Sequence, residues 1–284
     1  MSRRKNIMLA YPFEEKRLNR WGFPVLIQPK FDGIRCRALF TVQGVDLLSS
    51  EENSLNFAVP HIADILWSHR LTFVTRGILE LDGELYNHAL PFEAITSITG
   101  RTKERHPDYE SMQFHIFDHP CVQTPYTHRK IDVDICLDYI FSHWLQKTPT
   151  IPAHSLAQVE EYLDLLMASD YEGLIARHPD YPYERKRSTG MMKWKPRKSD
   201  KYTIVDYTEE IDKNGEPKGR LGAFFVRDES DNIFKVGTGF SDQQRAAYWD
   251  QVNNLIGKNC IIKYQHTTEK GVPRFPVFDV LVED

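Results

Sequence analysis

One short run of residues in this chain has the types and spacing for covalent chemistry: Gln28-Pro29-Lys30-Phe31-Asp32-Gly33-Ile34-Arg35. An amine attacks phosphorus only as the free base, so a nucleophilic lysine needs a lowered pKa, which partial desolvation or neighbouring cations supply. Asp32-Gly33 predicts a tight turn that presents Lys30 to a pocket, and Arg35 can hydrogen-bond a nucleotide or a phosphate. Lys-x-Asp-Gly alone is more typical of a surface hairpin, so the interpretation depends on later segments.

Two lysines in a later apolar segment could support the same chemistry. Lys193 and Lys195 are two residues apart, and strand alternation points both side chains to one face. Two ammonium groups on one face can stabilise the charge of a phosphate in a transition state, and their field lowers the pKa of a nearby lysine. Two lysines on an exposed strand face would have the same spacing.

Glu84 is a carboxylate on a strand that is otherwise largely apolar. A carboxylate in such a place needs a partner, which can be a ribose hydroxyl, an arginine or a metal ion. A salt-bridged structural glutamate would satisfy the same requirement.

Positive charge is concentrated in residues 185–201. The formal net charge of the chain is -4, so nucleic acid binding would have to come from a local basic patch. This segment has Asp200 as its single acid, and a solvated surface is the alternative interpretation. Its cations are Arg185, Lys186, Arg187, Lys193, Lys195, Arg197, Lys198 and Lys201.

Strands are needed to position these residues. Residues 25–27 and 34–41 are predicted as two strands that flank the Lys30 turn, and residues 78–86 as the strand of Glu84. Three further predictions are strands at residues 112–118, 173–177 and 191–195. Residues 129–145 have apolar residues at helical spacing, and a capping box at Ser155 begins another helix. The first domain is therefore predicted to be mixed.

After Pro196 the pattern becomes mainly β. Five strands are predicted, at residues 201–211, 222–227, 233–237, 259–265 and 277–282. One helix interrupts them, with a capping box at Ser241 and an end at Gly257. This content is typical of an OB-fold barrel, although a small SH3-like barrel has a similar pattern. The predicted domains are residues 1–198 and 199–284.

The composition indicates a soluble globular protein with 41% hydrophobic residues. Its four cysteines form no Cys-x-x-Cys pair, which predicts neither a disulfide framework nor a four-cysteine zinc site. We therefore expect a cytoplasmic location, in an infected host cell if the source is viral. Neither a signal peptide nor a transmembrane segment is predicted.

Lys30-Phe31-Asp32-Gly33-Ile34-Arg35 resembles the Lys-x-Asp-Gly-x-Arg nucleotidyl-transfer motif that ATP-dependent DNA ligases share with RNA ligases and mRNA capping enzymes. The segments around Glu84, Phe117, Glu172 and Lys193 resemble the next motifs in the family's order. Residues 234–242 and 271–278 resemble the OB domain of ATP-dependent DNA ligases in particular. The resemblance covers nearly the whole chain. It implies an α+β fold, with an N-terminal nucleotidyltransferase (adenylation) domain of mixed, mainly antiparallel sheets with helices, followed by a C-terminal all-β OB-fold barrel.

The resemblance also implies roles for individual residues. Lys30, Lys193 and Lys195 would be catalytic, and Phe117 would stack on adenine, with Phe114 as the fallback. Glu84 and Glu172 would hold the metal, which is Mg²⁺ or Mn²⁺. The residues expected to bind ATP are Gln28, Lys30, Arg35, Glu84, Phe117, Lys193 and Lys195. Those expected to bind DNA are Arg37, Arg185, Lys186, Arg187, Arg197, Lys198 and Arg274.

Two departures from the family pattern are visible. Where many members have Ser-Arg after the second strand of the Lys30 hairpin, this chain has Ser49-Ser50-Glu51, so we expect that arginine contact to be either absent or replaced by Arg37. Where the last motif has an arginine that helps to orient pyrophosphate, this chain has Val282-Glu283-Asp284, so we expect slower self-adenylation or another cation in that role. Only 29 residues precede Lys30, which leaves no room for the accessory domains of NAD-dependent ligases and favours ATP.

The sequence therefore predicts a minimal two-domain, ATP-dependent DNA ligase of the bacteriophage or DNA-virus type. It would seal nicks in duplex DNA as a monomer, in replication, repair or recombination, without a membrane partner. The alternatives are an mRNA capping guanylyltransferase or an RNA ligase that uses the same lysine, and a non-catalytic OB-fold nucleic acid binder.

Overall fold

A computed structural model of the chain describes residues 4–121, 123–264, 267–268 and 271–282. Its contacts divide the chain into two units, Met1–Trp194 and Lys195–Asp284. The sequence departure at Glu283 and Asp284 lies outside the described residues. Among the described residues, no helix is long and apolar enough to span a membrane.

The first unit contains ten strands, six helices and one 3-10 helix among its described residues. Its strands are β1 Leu9–Pro12, β2 Val25–Lys30, β3 Ile34–Phe40, β4 Val45–Ser49, β5 Glu80–Tyr86, β6 Gln113–Asp118, β7 Leu145–Lys147, β8 Ile151–Ala153, β9 Gly173–Arg177 and β10 Arg187–Trp194. Its helices are α1 Glu15–Trp21, α2 Pro60–Ser68, α3 Arg70–Val74, α4 Phe92–Thr99, the 3-10 helix Tyr109–Ser111, α5 Tyr126–Asp138 and α6 Leu156–Ala168.

Two five-stranded sheets organise this unit. The first sheet has the order β1-β10-β9-β2-β8, and the second has the order β4-β3-β5-β6-β7. The pairs β1/β10 and β6/β7 are parallel, and every other recorded strand pair of these sheets is antiparallel. The mixed, mainly antiparallel architecture predicted for this domain is confirmed.

The two halves of the Lys30 hairpin belong to different sheets. Strand β2 lies in the first sheet and strand β3 lies in the second. Helix α6 packs on the first sheet through the buried residues Val159 and Leu163. Ser155 caps this helix by accepting a hydrogen bond from the Gln158 amide at 3.2 Å. The turn between β2 and β3 therefore connects the two sheets.

The helix predicted at residues 129–145 is wrong in its end and its buried face. Helix α5 ends at Asp138, and Leu145 instead begins β7, where it pairs with Phe114. Ile131 and Tyr139, two of the apolar residues at the predicted helical spacing, are 50% and 69% exposed, whereas Arg129 is fully buried. The periodicity misled because the ion pair with Asp118 buries Arg129, while Val133, Cys136 and Leu137 form the apolar part of the inward face.

The second unit is a five-stranded antiparallel sheet with the order β13-β12-β11-β14-β15. All five predicted strands are present. Two short helices accompany them, and Ser241 and Gln244 form the predicted capping box. The elements are β11 Lys198–Ile211, β12 Pro217–Arg227, β13 Ile233–Val236, α7 Asp242–Asp250, α8 Val252–Leu255, β14 Asn259–Tyr264 and β15 Val277–Leu281.

Candidate active site

Lys30 is the last residue of β2 and has Glu172 as its ion-pair partner. The antiparallel register of β2 and β9 places Lys30 opposite Gly173, and the Glu172 amide donates a hydrogen bond to the Lys30 carbonyl at 3.2 Å. The Lys30 Nζ donates to the Glu172 carboxylate and, at 3.2 Å, to the Phe31 carbonyl. The Lys30 side chain is 20% exposed and that of Glu172 only 4%, so the amine is the accessible member of the pair.

Gly33 brings the hairpin turn against Glu84 on β5. A Cβ atom at Gly33 would lie 2.4 Å from the Leu85 carbonyl oxygen and 2.8 Å from the Glu84 Cγ, so only glycine fits. Burial raises the pKa of Glu84 to about 7, against the opposing charges of Lys30 and Arg35. Gly33 was predicted as a turn residue, and it is also needed because a side chain would not fit between the turn and β5. The turn that follows Lys30 therefore lies beside Glu84.

Lys193 reaches the same site from β10. It pairs with Ile175 on β9, which in turn pairs with Gln28 on β2. Burial lowers the pKa of Lys193, and the charges of Lys30, Arg4 and Arg187 lower it further. Lys195 is the first residue of the second unit, so the strand pairing positions only Lys193 of the predicted lysine pair.

Arg35 is held by a carboxylate that sequence reasoning did not single out. Its Nε and Nη2 donate to the two oxygens of Asp82, each at 2.6 Å. The Tyr183 hydroxyl donates to Asp82 as well, at 2.6 Å. Burial opposes ionisation of Arg35, but the Asp82 charge and hydrogen bonds raise its pKa well above the ordinary value. Arg35 is thereby fixed with its guanidinium carbon 4.6 Å from the centroid of the Phe117 ring.

Phe117 lies on β6 with two guanidinium groups near its ring. Arg177 is the second, with its guanidinium carbon 5.4 Å from the ring centroid. Asp118, which is fully buried, accepts from Arg177 at 2.9 Å and from Arg129 at 2.7 Å. Phe117 is 8% exposed, whereas the fallback residue Phe114 is fully buried in the core. Burial contradicts a stacking role for Phe114.

Gln28 is buried in the same polar network. Its amide nitrogen donates to the Tyr126 hydroxyl at 2.7 Å and to the Thr150 hydroxyl at 2.9 Å, and its carbonyl oxygen accepts from Arg177. A direct contact between Gln28 and a nucleotide would require the exchange of one of these bonds.

Asp118, Arg129 and Arg177 were missed by sequence reasoning. The available signal was the position of Asp118 directly after Phe117, since a buried aspartate requires cationic or hydrogen-bonding partners. Its partners come from α5 and β9, and no local pattern identifies them.

Arg37, predicted to contact DNA, is buried instead. Its side chain is 4% exposed and pairs with Glu80 at 2.7 Å and with Glu52 at 3.5 Å. Strand β3 directs the Arg37 side chain into the interior, where it forms ion pairs with these two glutamates. The structure therefore contradicts a DNA contact by Arg37.

The other predicted DNA-binding residues differ in their surroundings. Arg185 pairs with Glu80 at 2.6 Å, and the Arg187 Nη1 donates to the Ala10 carbonyl at 2.5 Å. Lys186 is 71% exposed beside Glu184. In the second unit Arg197 and Lys198 are exposed, and Arg274 has its guanidinium carbon 5.3 Å from the Phe275 ring centroid.

Glu84 and Glu172 provide oxygen ligands near Lys30. Over the part of the chain that the structure describes, no group of three or more histidine, cysteine, aspartate or glutamate residues could hold a metal ion. A metal ion at this place would take Glu84 and Glu172 as its carboxylate ligands from the protein. Two carboxylates suit a cation whose other ligands are water and substrate phosphates.

Comparisons with known proteins identify the family of this chain. A family described as the ATP dependent DNA ligase domain matches residues 7–195, and one described as the DNA ligase OB-like domain matches residues 214–281. A DNA ligase of Haemophilus influenzae is 23% identical over 273 residues, which cover 96% of this chain and 91% of that protein.

Two solved structures show the same fold. A Lig E DNA ligase, described as binding DNA with a minimal scaffold, has a TM-score of 0.77 at 21% identity, with 98% of this chain and 99% of that chain covered. The ATP-dependent DNA ligase of bacteriophage T7 in complex with ATP has a TM-score of 0.57 at 18% identity, with 98% of each chain covered.

Proposed function

The chain belongs to the ATP-dependent DNA ligase family, and from that premise we propose that Lys30 is the residue that carries AMP while the enzyme seals nicks in duplex DNA. The observation that supports this most is the position of the Lys30 amine, which is accessible at the end of β2, pairs with Glu172 and lies close enough to Lys193 for their charges to interact. The reaction joins a 5′-phosphate to a 3′-hydroxyl with ATP as cosubstrate.

The proposed reaction has three displacements at phosphorus. The Lys30 amine, after losing a proton, forms a bond to the α-phosphorus of ATP as the bond to pyrophosphate breaks. An oxygen of the DNA 5′-phosphate then displaces the lysine and takes the AMP. Finally, the 3′-hydroxyl loses its proton and attacks the 5′-phosphorus, which forms the phosphodiester bond and releases AMP.

The residues around Lys30 fit these steps by position and charge. Lys193 provides an ammonium group for the α-phosphate. Arg35 is held rigidly by Asp82, so it can orient a nucleotide without losing side-chain freedom at the time of reaction. The Glu172 carboxylate accepts a hydrogen bond from the Lys30 ammonium and is the nearest recorded acceptor for its proton.

We propose Glu84 and Glu172 as the metal-binding residues, with Mg²⁺ or Mn²⁺ as the cation. The raised pKa of Glu84 supports this proposal, because a partly desolvated carboxylate gains most from a nearby divalent charge. A bound divalent cation would neutralise charge on the triphosphate.

The test is a mass spectrum of the intact protein after incubation with ATP and Mg²⁺. We expect one added AMP in the wild-type protein and none in Lys30→Ala. Lys130→Ala is the matched control, because Lys130 is also a buried lysine paired with a carboxylate, that of Asp134. An adduct that persists in Lys30→Ala, or one that forms equally well from GTP, would contradict the proposal.

We further propose that the protein acts as a monomer in a reducing cytoplasm and without a membrane partner. The four free cysteines, three of them buried, support the reducing compartment. The DNA contacts that remain in this proposal are Arg185, Lys186, Arg187, Arg197, Lys198 and Arg274.

A further inference from the structure

A closed set of hydrogen bonds surrounds Arg35, and the proposed function gives no role to one of its members, Tyr183. The Tyr183 hydroxyl donates to the Asp82 carboxylate at 2.6 Å, and Asp82 accepts two hydrogen bonds from Arg35, each at 2.6 Å. The Tyr183 oxygen also accepts from the Met8 amide at 3.1 Å, and the Met8 carbonyl accepts from the Arg35 Nη2 at 3.3 Å. We call Met8, Asp82 and Tyr183 the Arg35 frame.

The Arg35 frame joins three segments that are far apart in the chain. Met8 directly precedes β1, Asp82 lies on β5, and Tyr183 belongs to the connection between β9 and β10. Arg35 itself is on β3. The orientation of its guanidinium is therefore set by contacts that exist only when all of these segments are in place.

The connection that carries Tyr183 consists of residues 178–186. Tyr183 is only 1% exposed, and its amide donates to the Cys121 carbonyl at 3.3 Å. Two residues later in the same connection, Arg185 is one of the proposed DNA contacts. Its hydroxyl group thus makes Tyr183 the link between this basic segment and the Arg35 frame.

The Tyr183 hydroxyl satisfies two buried groups at once. Asp82 is fully buried, so its charge depends on hydrogen-bond donors, of which this hydroxyl is one. The buried Met8 amide donates to the same hydroxyl. Burial, followed by the Asp82 charge, raises the pKa of Tyr183, which keeps the hydroxyl protonated as a donor. Its loss would leave both groups poorly satisfied, and both of these residues hold Arg35.

Arg35 connects the frame to the groups around the nucleophile. It pairs with Glu84 in the register of β3 and β5. Burial raises the pKa of Glu84, and the charges of Lys30 and Arg35 oppose that rise, so both cations lie within electrostatic range of this carboxylate. The Arg35 guanidinium carbon is 4.6 Å from the centroid of the Phe117 ring. A shift of Arg35 would therefore change the surroundings of a nucleotide at Lys30.

We propose that Tyr183 is a positioning residue that acts through Asp82 and Met8 and holds Arg35 in the orientation that binds ATP for adenylation of Lys30. A guanidinium held in advance by fixed partners loses little freedom when it binds a nucleotide, whereas a loosened one must be ordered at that moment. This inference rests on the proposed function.

The experiment measures how adenylation of Lys30 depends on the ATP concentration. Single-turnover AMP addition to the full-length protein would be followed by mass spectrometry in the presence of Mg²⁺. The proteins would be wild type, Tyr183→Phe, Arg35→Lys and the double variant. Tyr264→Phe is the matched control, because Tyr264 is a buried tyrosine of the second unit whose hydroxyl also donates to an aspartate, Asp200.

We expect Tyr183→Phe to raise the half-saturating ATP concentration at least about 5-fold, which is of the order expected for the loss of one hydrogen bond to a charged group. A purely structural role would lower the fraction of active protein and leave this concentration unchanged. In the Arg35→Lys background, Tyr183→Phe should raise it less than about 2-fold further, because lysine cannot keep the bidentate contact with Asp82. Tyr264→Phe should match the wild type.

An unchanged half-saturating ATP concentration in Tyr183→Phe would overturn the inference, and so would an equal rise in the wild-type and Arg35→Lys backgrounds. Circular dichroism would check the fold. If Tyr183→Phe did not fold, Asp82→Asn would decide, since it weakens the same hold on Arg35 and keeps an acceptor for the hydroxyl. An unchanged ATP dependence in that variant would also overturn the inference.

The two proposals fail in different ways. A wild-type protein that forms the AMP adduct, together with variants that keep its ATP dependence, would reject the role of Tyr183 alone. A wild-type protein that forms no adduct would reject the proposed function.

Discussion

At the scale of single residues, burial and partner charges determine what the site side chains can do. Lys30 has a carboxylate partner 142 residues away in the chain, and Asp82 and Asp118 each hold an arginine near the Phe117 ring. Glu84 is different, because burial outweighs the cations near it and raises its pKa to about 7. Its ionisation therefore opposes folding.

We expect Glu84 to make the protein less stable as pH rises from about 4.5 to about 7. The folded state binds the Glu84 proton more tightly than the unfolded state does, so stability from this group is greatest below the unfolded pKa of 4.5 and is lost as pH rises through the folded pKa. The loss is on the order of 3 kcal/mol, an upper bound from the pKa difference.

Urea denaturation of wild type and Glu84→Gln at several pH values would measure this loss. The variant should be the more stable protein at pH 8, and the difference should shrink towards pH 4. Glu160→Gln, at an exposed site on α6, is the control. If the free energy of unfolding changed with pH equally in wild type and Glu84→Gln, Glu84 would not be buried as described.

At the scale of elements, the connection between β9 and β10 combines anchored and exposed cations. Arg185 in this loop pairs with Glu80 on β5 of the second sheet, and Arg187, the first residue of β10, donates to the backbone of β1 in the first sheet. Lys186 is exposed at 71%. The loop predicted to bind DNA is thus a structural link as well as a basic surface.

We expect Lys186→Ala to weaken binding to nicked DNA and to reduce the salt dependence of binding by about one unit of log-log slope, because one phosphate contact is lost. The triple variant at residues 185–187 should reduce the slope by up to about three units. The measurement is nicked-duplex affinity over a salt series, with circular dichroism to check the fold.

Lys147→Ala is the control, since Lys147 is an exposed lysine paired with Asp138 at a distant strand end. If the triple variant kept the wild-type affinity and slope, the loop would be a solvated surface only.

At the scale of the whole molecule, each unit has its own hydrophobic core. The first unit contains three buried clusters, the largest around Phe73, Phe114 and Leu85, and the second contains one around Phe224 and Phe278. Every recorded cluster is built from the residues of one unit. Each core is large enough for independent folding to be expected.

We therefore expect two fragments divided after Trp194 to fold separately. Each should unfold cooperatively in urea, with an m value that scales with its own length. The measurement is equilibrium denaturation of residues 1–194 and of residues 195–284, compared with the intact chain. A fragment without a cooperative transition would show that its core depends on the other unit.

The sequence by itself determined the strands that carry the motifs and the helix caps at Ser155 and Ser241. These follow from local signals, since strand alternation, capping boxes and a motif such as Lys-x-Asp-Gly-x-Arg are properties of neighbouring residues. The roles of Lys30, Glu84, Glu172 and Lys193 remain predictions, but their proximity was predictable from the family resemblance.

Only the tertiary structure decided which charged side chains are buried and which residues are their ion-pair partners. Arg37 and Arg129 are arginines in ordinary amphipathic contexts, and both become buried because acids from other elements, Glu80 and Asp118, meet them. Desolvation and ion pairing depend on contacts between residues far apart in sequence, so no local pattern reports them. For the same reason, the end of α5 became visible only in the folded chain.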